Sequence, residues 1–179
     1  PEAPFILPGD RVTWTVYVAP TPEIARALRA AEQLAPPGQR STRAAQEESH
    51  RTLGHLLGYP SCCVEAFIAC ERRGVEFARD GRQANERFVA AERAAHNSSL
   101  LLGRLNTLRR HEGVALVSFE PSAFDCTEGA DIAARTYDAI AKQDPEGARA
   151  LLERMLGTVS IERNSKGKGP PLVLDFTTF

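Results

Sequence analysis

The chain has 179 residues, 42% of them hydrophobic and 25% charged, with a formal net charge of −1. That length suits a single domain, 1–179, with enough apolar material for a core. The near-neutral balance excludes a global field that would draw it to nucleic acid or an anionic membrane. No stretch approaches the ~20 apolar residues that span a bilayer, and the N-terminus lacks the basic-then-apolar pattern of a secretory signal. The first residue is Pro1 rather than Met, which fits a chain trimmed or excised from a longer protein.

Taken in chain order, Arg11–Val18 alternates and is rich in β-formers, so it reads as a strand. Thr21-Pro22-Glu23 opens a helix over 22–34, ended by Pro36-Pro37-Gly38. Ser41 or Thr42 opens a second helix to Leu57, which Gly58-Tyr59-Pro60 breaks. A third runs from Ser61 to Arg73 and stops near Gly74. Phe88, Ala91, Ala95, Ser98, Leu102 and Leu105 recur at helical steps and predict one long helix over 83–111, capped by Gly113. Val114–Phe119 reads as a short buried strand, and 120–126 as a loop. Thr127 caps a helix to Lys142, and Pro145 opens another to Leu156. Strands at 158–163 and 171–176 close the chain around a turn whose Lys166-Gly167-Lys168 run reads as solvated. The predicted fold is α+β: a mostly helical single domain with a small mixed sheet drawn from both ends and the middle of the chain.

Four cysteines, Cys62, Cys63, Cys70 and Cys126, are too few for a disulfide scaffold. With no secretory signal the expected compartment is the reducing cytoplasm, where thiols pack, ligate metal or react. Cys62 and Cys63 are adjacent, a poor arrangement for packing and a strained one for a disulfide. Both open a helix, where the dipole and free amides favour thiolate. Cys126 has a matching place, at the end of a loop and the start of a helix, so the two helix starts are predicted to converge on one site. Cys70, two turns into its helix among apolar neighbours, reads as a packing residue. On the helix leading to the break, Leu53, Leu56 and Leu57 mark the inward face. His50 lies about 65° from the centre of that face and His55 about 155° away. His50 is therefore a candidate fourth ligand, with Gly54 leaving room beside it and Glu47 placed to orient its ring. No phosphate loop, dinucleotide fingerprint, zinc-protease or nucleophile-elbow motif is present.

The stretch Leu57-Gly58-Tyr59-Pro60-Ser61-Cys62-Cys63-Val64-Glu65-Ala66-Phe67 resembles a poorly characterised prokaryotic family, a domain of unknown function with a Leu-Gly-Tyr-Pro-x-Cys-Cys-x-x-x-Phe motif. That family carries a second motif, Pro-Cys-x-x-x-Cys, after a buried strand. Pro121-Ser122-Ala123-Phe124-Asp125-Cys126 resembles it, with serine in place of its first cysteine. The resemblance covers residues 45–140. It implies a thiolate-rich site made from both motifs, and no established reaction.

With serine at 122, three thiolates remain beside His50, Ser122 or an open position. Soft thiolates select an iron–sulfur cluster or a single Fe, Cu or Zn ion. The first expectation is a metal- or iron–sulfur-dependent redox enzyme, its site made by Cys62, Cys63 and Cys126 with His50 and Ser122, acting on a small-molecule or peptide substrate. The alternatives are a non-catalytic structural-metal or accessory module of a biosynthetic protein, and a metal-free thiol enzyme. Neither nucleic acid nor membrane is an expected partner, and the oligomeric state is not legible.

Overall fold

A computed structural model describes residues 19–35, 41–79, 85–163 and 169–179, with backbone only for 74–79. The strand expected at 11–18, the Pro36-Pro37-Gly38 breaker and the Lys166–Lys168 turn lie outside the described residues. Six α-helices are seen among them: α1 (Pro22–Gln33), α2 (Arg43–Leu56), α3 (Ser61–Arg79), α4 (Glu86–Asn97), α5 (Thr127–Gln143) and α6 (Pro145–Met155). Two strands, β1 (Gly157–Ile161) and β2 (Leu172–Phe176), pair antiparallel with Val159 opposite Leu174. The architecture is the expected mostly helical α+β. Among the described residues its sheet, however, is a two-stranded ribbon from the C-terminal end, without the expected middle strand, and with an isolated parallel bridge between Leu102 and Thr178. Among the described residues, no helix is long and apolar enough to cross a membrane.

Local chemistry explains the helix starts. Thr21 Oγ1 accepts from Ile24 N, Thr42 Oγ1 from Ala45 N, and Asp144 Oδ1 from Gly147 N, and each offsets an amide the helix cannot satisfy. The α2–α3 junction is set by a left-handed glycine. Gly58 has φ +72°. Tyr59 N donates to Gly54 O (2.9 Å) and Gly58 N to His55 O (3.0 Å), the paired bonds of a Schellman turn. Pro60 O then accepts from Cys63 N and Val64 N, so α3 starts at once and puts Cys62 and Cys63 in its first turn. The helices cross tightly: a Cβ on Gly54 would collide with the Val64 methyls. Val64 thus occupies the room that the sequence assigned to a group beside His50.

Three expectations fail, the last two for identifiable reasons. The third helix does not stop near Gly74 but continues to Arg79. The long helix expected over 83–111 ends at Asn97, followed by 3-10 turns at Gly103–Leu105 and Thr107–Glu112. The Asp125 carboxylate, arriving from another loop, takes the amides of Ser99 (2.7 Å) and Leu100 (3.3 Å). Gly103 N bonds to Thr178 O, and a Cβ on Gly103 would meet Leu156 Cδ2 at 2.8 Å. Residues 114–119 are buried at Val114, Leu116, Val117 and Phe119 but form no ladder. The carbonyls of Val117 and Phe119 instead accept from Arg110 Nη2 (3.3 and 3.0 Å), so a side chain does the work of a neighbouring strand.

The core collects Leu105, Val114, Phe124, Met155 and Phe176, all under 2% exposed, and Phe124 meets Phe176 edge-on at 5.0 Å. Burying each such side chain stabilises the fold by ~1.5–3 kcal/mol. Asn106, fully buried, donates to Met155 O (2.8 Å) and accepts from Leu108 N (3.2 Å), tying the 3-10 segment to the end of α6. Cys63 and Cys126 belong to this same core, so the candidate site is built directly on it.

Candidate metal centre

The two helix starts converge. Cys62 Sγ lies 3.5 Å from Cys126 Sγ and 3.8 Å from Cys63 Sγ, and the Cys63–Cys126 separation is 3.8 Å. Cys62 is exposed, Cys63 is 1% exposed and Cys126 8%. The triangle therefore has one edge on the core and one corner on solvent. Cys126, not Thr127, is the N-cap residue of α5, and it makes no side-chain capping bond. Its sulfur is turned to the other two instead.

Ser122 completes the group. The Cys63 thiol faces Ser122 Oγ at 3.6 Å, and Ser122 N donates to Cys63 Sγ at 3.3 Å. For Cys62, burial is the largest single influence and opposes ionisation. Hydrogen bonds with Ser122, Cys126 and Cys63 together outweigh it and hold the thiol below its usual value. At Cys63 burial wins. Its thiol is pushed up to about 12, although Ser122 pulls the other way. The helix-start argument, which favours thiolate at both positions, is thus overridden by desolvation at the inner one.

The donor set fits a metal ion. All three ligand atoms lie within 4.8 Å of one another. A tetrahedral ion held at ~2.3 Å from each thiolate separates the sulfurs by ~3.8 Å, the edge of the tetrahedron. The three observed separations, 3.5, 3.8 and 3.8 Å, match one triangular face. Three thiolates are soft donors suited to Zn, Fe or Cu(I) rather than Mg or Ca.

His50 stands outside the triangle. Its ring meets Phe67 edge-on at 5.1 Å, and it lines a cavity of about 200 Å³ together with Cys63, Val64 and Phe119. It therefore sits behind the inner cysteine and not among the sulfurs. Glu47 does not orient it: the Glu47 carboxylate binds Arg72 (Nε to Oε1 2.7 Å) and is flanked by Arg43 and Arg51. Cys70 is half-buried and accepts from Arg93 Nε at 3.2 Å.

That arginine is the main residue beside the sulfurs that the sequence did not suggest. Arg93, on α4, also donates to Ser122 O (3.3 Å) and Pro121 O (3.3 Å). Asn97 adds a bond to Ser122 O (3.2 Å), and Ser98 Oγ accepts from Phe124 N. One face of α4 thus grips the loop that presents Ser122 and Cys126. The only sequence signal is the 93/97 spacing, one turn apart on one face, which is common on solvated helices. No family model matches the chain, and no curated protein and no solved structure matches it significantly.

Proposed function

We propose that the chain is a metal-dependent enzyme, an oxidoreductase, built on a single ion held by Cys62, Cys63 and Cys126. The observation that supports this reading is the sulfur triangle with an oxygen, Ser122 Oγ, beside it instead of a fourth sulfur. Closed structural sites carry four strong ligands, whereas working sites keep one position exchangeable. A hydroxyl is a weak, displaceable neighbour, and the exposed Cys62 marks the side from which a small-molecule or peptide substrate would approach. An ion bound there would supply Lewis acidity, or one-electron chemistry if it is iron or copper. The chain's own part is to hold it on a rigid core, keep Cys63 dry and offer the Ser122 hydroxyl to whatever takes the fourth position. All four thiols are free, which suits a reducing, cytoplasmic setting.

A cluster is a less good fit. On a cluster at least one of the three thiolates binds a different iron and stands farther from the others than one tetrahedral edge, so the observed triangle would have to open. The resemblance to the Leu-Gly-Tyr-Pro-x-Cys-Cys family is compatible with either. Anaerobic purification, elemental analysis and a UV–visible spectrum decide. About one equivalent of iron, copper or zinc without sulfide supports the single-ion site, and iron or copper supports its redox role as well. A brown protein with stoichiometric sulfide replaces the single ion by a cluster, and a protein that takes up no metal overturns both. If chelation unfolds the chain and no redox or hydrolytic turnover is found, the site is a structural module.

A further inference from the structure

The peptide between Pro121 and Ser122 has a partner at each end. Its N–H, on Ser122, donates to Cys63 Sγ at 3.3 Å. Its carbonyl, on Pro121, accepts from Arg93 Nη2 at 3.3 Å. A cation at the carbonyl draws electron density through the conjugated amide and makes the N–H a stronger donor. Pro121 is under 2% exposed, so little water competes for that polarisation. The guanidinium is fixed by two further contacts, Nη1 to Ser122 O and Nε to Cys70 Sγ. That gives the half-buried Cys70 the task of aligning the plane of Arg93.

We propose that Arg93 is a positioning residue for the metal centre, acting through the Pro121–Ser122 peptide on Cys63 Sγ. The proposal rests on the reading of the three sulfurs as ligands. A hydrogen bond to a ligating thiolate withdraws charge from the sulfur and tunes both its donation and the potential of the bound ion. Arg93 sets the strength of that bond from outside the site. Lysine cannot reproduce it in full, because a point charge does not span two carbonyls and a thiol at once.

Asn97 supplies the control. It too grips the loop, but through Ser122 O, which belongs to the next peptide and not to the one whose N–H reaches Cys63. Loss of Asn97 loosens the loop without touching the polarised peptide.

The test uses the full chain loaded anaerobically with Co(II), reading the sulfur-to-cobalt charge-transfer band and the Co(II) affinity. In Arg93→Gln the band moves to lower energy, because electrons on a less stabilised sulfur are easier to transfer. Affinity falls about tenfold, the low end for partners of ligands. In Asn97→Ala the band stays in place. In the zinc-loaded protein the Ser122 amide proton moves upfield in Arg93→Gln only. A folded, cobalt-bound Arg93→Gln with an unmoved band overturns the proposal, as does an equal shift in Asn97→Ala. If Arg93→Gln does not fold, Arg93→Lys must show a smaller shift in the same direction, and an unmoved band there is equally fatal. A wild-type chain with no thiolate band at all overturns the metal reading and this inference with it.

Discussion

Replacing Ser122 by cysteine should convert an exchangeable site into a closed one. Ser122 Oγ lies 3.6 Å from Cys63 Sγ, close to the ~3.8 Å edge of a tetrahedral thiolate site. A sulfur at that place can therefore reach the fourth corner by a small side-chain rotation. Structural zinc sites with four ligands bind with ~10–16 kcal/mol at neutral pH, or ~3 kcal/mol per ligand. Part of that is offset by the serine oxygen's own contribution and by the extra thiol that must ionise. The net expectation is binding roughly 10- to 100-fold tighter, ~1.4 to 2.8 kcal/mol. Competition titration against a chromophoric zinc chelator reads it directly, and the Co(II) form should gain charge-transfer intensity from a fourth sulfur. An S122C protein that folds, yet binds zinc no better than the parent, would refute the placement of residue 122 at the fourth corner.

Other outcomes follow from the same geometry. Zinc binding should tighten as pH rises through neutrality and release protons in weak buffer. The Cys63 thiol, pushed up to about 12 by burial, is protonated in the metal-free chain and must lose its proton to ligate. A pH-independent affinity would speak against Cys63 as a ligand. Gly54→Ala should destabilise the fold in urea by about 1–3 kcal/mol, because its methyl collides with Val64; up to ~1 kcal/mol of helix propensity offsets this. Adding Val64→Ala should restore part of the loss, and a Gly54→Ala variant as stable as the parent would mean the helices are less close than described. The Arg72 hydrogen bond lowers the Glu47 pKa more than any other influence, with Arg51 and Arg43 adding to it. Its ion pairs therefore stabilise the fold above the ordinary carboxylate range, and the stabilisation is lost as pH falls through the lowered value. The melting-temperature gap between the parent and Glu47→Gln should accordingly be small, salt-sensitive, present at pH 7 and gone in acid.

Much of the fold was readable wherever local chemistry decides it. Thr21-Pro22, Thr42 and Pro145 mark helix starts, Gly58 marks a turn only glycine adopts easily, and the two C-terminal strands carry their own alternation. The cysteine triangle was legible for the same reason, since Gly58-Tyr59-Pro60 fixes how Cys62 and Cys63 are presented. What was missed depends on partners distant in sequence. Helical periodicity continues past Asn97, but Asp125 arrives from another loop to take the amides that would have extended the helix. Residues 114–119 have the composition of a strand, yet Arg110 satisfies their carbonyls from the side. His50 is half-buried near the inward face as its helical angle required, although Leu57, assigned to the same face, is 49% exposed. The angle could not tell that this face leads to Phe67 and a cavity behind Cys63 rather than to the sulfurs.

The triangle also joins distant parts of the chain. Cys62 and Cys126 are 64 residues apart in sequence, and all of α4 lies between them. An ion held by both would act as a cross-link closing a long loop, removing unfolded-state entropy worth about 4 kcal/mol if it behaved as a disulfide of that span. Without it, closure of that loop falls to the core and to the grip of α4 and residues 98–100 on residues 121–125. The same three thiolates would then set how tightly the chain holds its ion and how readily the intervening segment opens, so that metal supply and proteolytic resistance would rise and fall together.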